Sequence, residues 1–303
     1  AAYQQDQILS EMANQIVQHR LDRLRNQKNS PFTQADIYSG YFLRFVRAAE
    51  ISAQCDPENW EQSMGLIEQT LRKALEYGFT HSEVQRVQKE FNTRLKQAVK
   101  AAETRENGQI ARQILHHLNT GRIFQSPGQR LELLAPVVDS ATPTPLHDKL
   151  ISDWAPPHRL VMVTGNADLA KKSSPAEKQI ARVYEQSRQK SVQKPAEEKR
   201  IEFPYLPPPQ GRAQIQVRQR LENPDLTRVI FANNVTLLIK KTDFTANQVL
   251  AAMSFGYGES VEPASQPALA ELSREVINSG GLGKLSADQL SRALAGKATD
   301  VRF

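Results

Sequence analysis

The residues best spaced for chemistry stand near the end of the chain. In PALAELSREVINSGG, 267–281, Glu271, Arg274 and Glu275 occur at i, i+3 and i+4. That spacing gathers three side chains on one face of a helix. A metallopeptidase can present two metal ligands and a general base in this way. This face has no histidine, however, and Arg274 would repel a cation. Zinc asks for about three protein ligands in fixed geometry. The same stretch also reads as a packing helix. Leu269, Leu272 and Val276 share a face at spacings of three and four, and Gly280-Gly281 suit a left-handed helix stop. The two glutamates are then a surface pair or ion partners of Arg274.

No other constellation replaces it. The six histidines are at 19, 81, 116, 117, 147 and 158, and none begins H-E-x-x-H or H-x-x-E-H. His116 and His117 are adjacent, so on a helix they point about 100° apart and share a metal poorly. His81 lies in a capping sequence and His158 just before an expected strand, where local hydrogen bonds or solvent account for them. Cys55 is the single cysteine. It admits no internal disulfide and reads as a small core residue rather than a nucleophile. There is no G-x-S-x-G and no phosphate-binding glycine loop. The sequence therefore assigns no catalytic, cofactor-binding or metal-ligating residue.

The elements that would position these residues are legible from periodicity. An amphipathic helix is expected over 5–26, with Leu9, Met12, Ile16, Val17, Leu21 and Leu24 as its apolar stripe. The basic run RLDRLRNQK at 20–28 suits its C-terminal dipole. In YFLRFVRAAEISAQC, 41–55, Phe45, Ala49, Ile51, Ala53 and Cys55 stand opposite more polar neighbours, the period of a half-buried strand. Asp56-Pro57 predicts a capped helix start. Trp60, Met64, Ile67, Leu71 and Leu75 follow on one face, and Gly78 closes the helix. Thr80 and Glu83 form a capping box for a helix carrying Val84, Val87, Phe91, Leu95 and Val99. That pattern continues to His117, with a kink at Gly108. Further helices start at Ser126-Pro127 and near Pro145, and RLVMVTG at 159–165 predicts a strand.

The character changes over 166–213. A helix at 175–190 with a Ser174 cap precedes KPAEEKR and FPYLPPPQGR. The prolines favour an extended connector or, alternatively, a ligand for another protein. From 214 the pattern is β. Val229 and Phe231 precede an Asn233-Asn234 turn, and Val235, Leu237 and Ile239 follow, which predicts a two-residue hairpin. NQVLAAMSFGYG, 247–258, predicts a third strand. After the opening helix come a helix capped by Ser286 and a strand beginning at TDVRF.

Length and composition set wide bounds. The 303 residues allow two domains, with 39% hydrophobic and 24% charged residues. The net charge of +6 is spread along the chain, and no nucleic-acid-binding motif accompanies it. No apolar run reaches the roughly 18 residues of a membrane span.

The order of elements resembles the pitrilysin/insulinase family of zinc metallopeptidases. Asp56-Pro57-Glu58, Gly78-Phe79-Thr80 and Glu83 match a non-catalytic repeat: a strand, a "dPe" helix start, a Gly-hydrophobic-Thr helix end and a long helix. ANNVTLLIKKTDFTANQVLAAMSFGYGESVEP with the opening helix is similar to the start of a later repeat, with Asn-Asn where Asn-Gly is common. The resemblance implies an α+β fold of antiparallel sheets with helices packed on one face, made of two partial repeats. Residues 1–165 would close one non-catalytic repeat, 166–213 would link, and 214–303 would open the next. The family's active repeat carries H-x-x-E-H where Glu271, Arg274 and Glu275 stand here. Zinc would then be held elsewhere in a parent protein, and this chain would be an internal, inactive section of it. Its partners would be the catalytic repeat and a peptide substrate, with the periplasm as compartment. The alternative is a non-catalytic homologue or a protein-binding module.

Overall fold

The computed structural model describes residues 2–42, 46–166, 169, 175–199, 201, 207–208 and 210–302. The expected Phe45, Ser174, most of the proline-rich stretch at 203–209, and Phe303 lie outside the described residues. Among the described residues the fold is α+β with antiparallel sheets, as expected.

Helix α1, Ala2–Arg25, forms the centre of the first core. Its residues Ile8, Met12, Ala13, Ile16, Val17 and Leu21 are buried, while Leu9 and Leu24 pack at the margin. Each large apolar side chain so buried contributes about 1.5–3 kcal/mol. α1 lies on strand β1, Gln34–Phe42, which pairs antiparallel with β2, Val46–Gln54. β1 carries little strand signal of its own, because QADIYSGYF lacks a run of β-branched residues. The residues it buries fully, Ala35 and Ser39, are small, and Ile37 packs beside them. Tertiary contacts make up for this. Gln18 of α1 donates to the Ala35 carbonyl at 2.8 Å and accepts from the Ile37 N–H at 3.2 Å. In β2 the alternation holds: Ile51, Ala53 and then Cys55 pack on the core.

Asp56 does not cap through its side chain. Pro57–Asn59 form a 3-10 turn, and α2 then runs from Trp60 to Tyr77. Gly78 ends it with φ of 66°, a conformation that favours glycine. An added Cβ there would lie 2.9 Å from His147. α3, His81–Lys100, opens on the full Thr80–Glu83 capping box. The expected continuation to His117 is instead a break. A 3-10 turn at Ala102–Thr104 precedes a separate helix α4, Asn107–Asn119, which buries no residue. α5, Pro127–Ser140, starts at a Ser126–Gln129 capping box, and α6 spans Pro143–Trp154.

Residues 159–165 carry no strand pairing. Val161 and Val163 pack toward Trp60, Met64 and Val183, while Leu160 and Met162 stay exposed. The alternation is present, but a neighbouring strand is absent among the described residues. α7, Ala176–Gln189, packs along α2. Ser187 Oγ donates to the Gly65 carbonyl at 3.0 Å, and Arg72 donates to the Ser187 carbonyl at 3.1 Å.

The second sheet orders β3, Ile215–Glu222, β4, Asp225–Phe231, and β5, Thr236–Ile239, antiparallel. Phe231 and Val235 close a loop of three residues, 232–234, rather than two. Phe231 N–H donates to the Val235 carbonyl, and Asn234 alone takes positive φ, 62°. One left-handed residue after a turn is the usual geometry of a three-residue hairpin. Residues 247–258 form no strand, and their apolar side chains are open to solvent, Val249 being 92% exposed and Phe255 74%. Residues 299–302 are likewise unpaired. α8, Leu269–Ser279, and α9, Ala287–Leu294, follow. The Ser286 cap is present, as a capping box with Gln289. Among the described residues no helix is long and apolar enough to cross a membrane.

Candidate functional site

Glu271, Arg274 and Glu275 do lie along one helix, α8, and all three are exposed. The N-terminus of α8 is closed by Glu262, whose carboxylate accepts from the Leu269 and Ala270 N–H groups. A carboxylate at this end also complements the helix dipole. The helix stop is not left-handed: Gly280 is extended, with φ of −82°. Glycine is needed at 281 for a different reason. A Cβ there would fall 1.9 Å from the Leu285 carbonyl oxygen, across the Leu282–Leu285 bridge. The expected packing face is exposed too, with Leu272 61% and Val276 63% accessible. An exposed helix with two carboxylates and an intervening guanidinium offers zinc no nitrogen or sulfur ligand. The residues present do not fit the metal.

The histidines are dispersed over the molecule. His19 Nε2 lies 3.3 Å from Glu90 of α3. The His81 N–H donates to Glu197 at 2.7 Å. His147 Nε2 is 2.8 Å from the Leu75 carbonyl. His116 and His117 sit edge to face, ring centres 5.8 Å apart, and His117 Nδ1 lies 2.7 Å from the Gln113 carbonyl. Among the described residues, no three His, Cys, Asp or Glu side chains gather as a metal site.

The strongest electrostatics lie in the helical unit and were not read from sequence. Arg20 of α1 donates to both Glu83 oxygens, at 2.7 and 2.8 Å, and to the Gly78 carbonyl at 2.9 Å. Burial pushes the Glu83 carboxyl up. The hydrogen bonds and charge of Arg20, with the Thr80 N–H and hydroxyl, outweigh it and hold the group below the usual range. Arg20 is thus a tertiary ion partner, not merely a dipole-complementing cation. Asp153 of α6 is buried as well. It accepts from Ser10 Oγ at 2.6 Å and Ser39 Oγ at 3.0 Å, and pairs with Arg47 and, at 3.2 Å, Lys149. Burial raises its pKa, but bonds from Ser10, Arg47 and Lys149 and the charge of Lys149 bring it below the usual range. These groups tie α1, β1, β2 and α6 together. An opening of about 1110 Å³ lies between α1, α3 and α9, and is lined by Arg23, Arg86, Lys89, Glu198 and Arg292 among others.

With this geometry in hand, the chain can be set beside solved structures. It is similar to the periplasmic protease PqqL from Escherichia coli, with 18% identity and a TM-score of 0.52 over 97% of this chain and 32% of that one. The first half of the same protease matches 63% of this chain and 41% of its own, with 16% identity and a TM-score of 0.52. A predicted insulinase family protease from Yersinia pestis matches 60% and 39%, with 16% identity and a TM-score of 0.49. The likeness to PqqL shows a shared fold. The chain spans about a third of the length of PqqL. No family model and no curated protein matches the sequence.

Proposed function

We propose that this chain is a non-catalytic, architectural section of a zinc-dependent metalloendopeptidase that encloses and hydrolyses peptides. Residues 1–165 close one inactive repeat, 166–213 link, and 214–303 open the next. The likeness of nearly the whole chain to a stretch of a protease about three times its length carries this reading. The composition of α8 supports it: Glu271, Arg274 and Glu275 occupy the positions where a metal helix would carry its ligands and base. The zinc belongs to another repeat of the same parent, which is also the chain's main partner, and peptide is the substrate of the whole. The periplasm is the proposed compartment, in line with PqqL.

Two measurements test the reading. The chain by itself should bind no stoichiometric zinc by metal analysis and cleave no fluorogenic peptide. Zinc held at His116 or His117 would overturn the account of this section. The coding sequence upstream should contain H-x-x-E-H within several hundred residues. Its absence would leave a homologue without peptidase activity.

A further inference from the structure

The segment expected to be an extended connector is held at Glu197 and Glu198. Glu197 accepts from the first N–H groups of α3, His81 at 2.7 Å and Ser82 at 3.1 Å. The Glu198 N–H in turn donates to Ser82 Oγ at 3.3 Å. The Glu198 carboxylate joins two helices far apart in sequence: it lies 2.5 Å from Arg23 of α1 and 2.7 Å from Arg292 of α9. Arg292 reaches Asp288 on its own helix at 3.1 Å, and Asp288 lies 3.4 Å from Arg23. Arg23, Glu198, Arg292 and Asp288 therefore form a closed ring of alternating charge. Arg86 of α3 flanks it, 3.9 Å from Asp288 and donating to Ser291 Oγ at 2.9 Å. Thr93 adds a hydrogen bond to the Gly296 carbonyl at 2.9 Å.

Ionic and polar contacts hold α9 here, beside half-buried Leu290 and Leu294. Helix α9 has eight residues and buries none. So short a helix is marginal in water without a partner. The ring side chains are partly exposed, between 20% and 36%, so their pairing is screened by salt.

We infer that Glu197 and Glu198 form an ionic clasp that fixes α9 of the second unit onto α1 and α3 of the first, and that salt or loss of the two carboxylates releases it. The linker then sets the relative placement of the two units instead of merely spanning them. This holds whether or not the parent hydrolyses peptides.

Hydrogen exchange read by mass spectrometry on the whole chain tests the clasp. In low salt, peptides covering α9 and the start of α3 should be protected. In about 0.5 M KCl, where the screening length is a few ångströms, α9 exchange should rise about tenfold while α5 and α6 stay unchanged. The double variant Glu197→Ala, Glu198→Ala should show that faster exchange already in low salt, with little further response to KCl. Protection of α9 that is indifferent to both salt and the substitutions would overturn the proposal, as would an α9 that exchanges freely in the unaltered chain at low salt. The salt titration needs no variant, so a misfolded mutant cannot decide the matter.

Discussion

Asp153 shows how much can rest on one side chain. Its carboxylate accepts from two hydroxyls and pairs with two cations in a buried setting. Asp153→Ala leaves those partners uncompensated and should cost about 3 kcal/mol by urea denaturation. The pH dependence has a definite sign. The folded pKa is depressed, so the stabilisation is fully present above the unfolded value of about 3.9 and is lost as pH falls through the folded value. Glu83 and Glu90 are depressed too and add to the same acid limb. An Asp153→Asn variant should therefore lose less stability than the unaltered chain between about pH 5 and pH 2. Equal acid slopes in the two proteins would remove Asp153 from the account.

Among the elements, local signals were read well and pairing was not. The capping box at Thr80–Glu83 and the cap at Ser286 are short-range signals, and both appear as expected, with Gln289 completing a box at the second. The stripes of α1 and α3 face the core, with Leu9, Leu24 and Val99 only half-buried. β1 escaped notice because its stability comes from Gln18 and from β2, not from its own composition. Residues 159–165 and 247–258 have strand periodicity but no partner strand among the described residues, and periodicity alone cannot supply one. The candidate site shows the same division. The shared helix of Glu271, Arg274 and Glu275 was legible from spacing, whereas the exposure of its apolar face depends on what lies across from it. α7 makes an element-level prediction. Trp60, Met64 and Val183 form the small cluster under it, so Trp60→Ala should cost about 3–5 kcal/mol. Trp154 remains as a fluorescence reporter in urea melts, and α7 amides should exchange faster. Unchanged α7 protection would mean that its polar contacts to α2 suffice.

At the scale of the whole molecule, apolar surface is distributed unevenly. The first core is closed around α1, whereas β5, 247–258 and α8 present Leu238, Phe255, Tyr257, Leu272 and Val276 to water. Large apolar side chains exposed in this number favour association with a partner or aggregation. The isolated chain should therefore take up the dye ANS and scatter more light as its concentration rises. Replacing Phe255 and Leu272 with serine should reduce both without lowering the melting temperature, because neither side chain supports a core. A chain that stays monomeric and dye-free at every concentration would show that this surface is covered by means the fold does not reveal.

Helix α4 has a consequence for engineering. It buries nothing, and the core around α1, α3 and α5 closes without it. Its far end is tethered to α1 through Arg122 and Tyr3. Length between the end of α3 and the start of α5 is thus nearly neutral for folding, since lengthening a surface loop adds little closure entropy. A foreign domain grafted between Asn107 and Asn119 should leave the rest of the architecture in register.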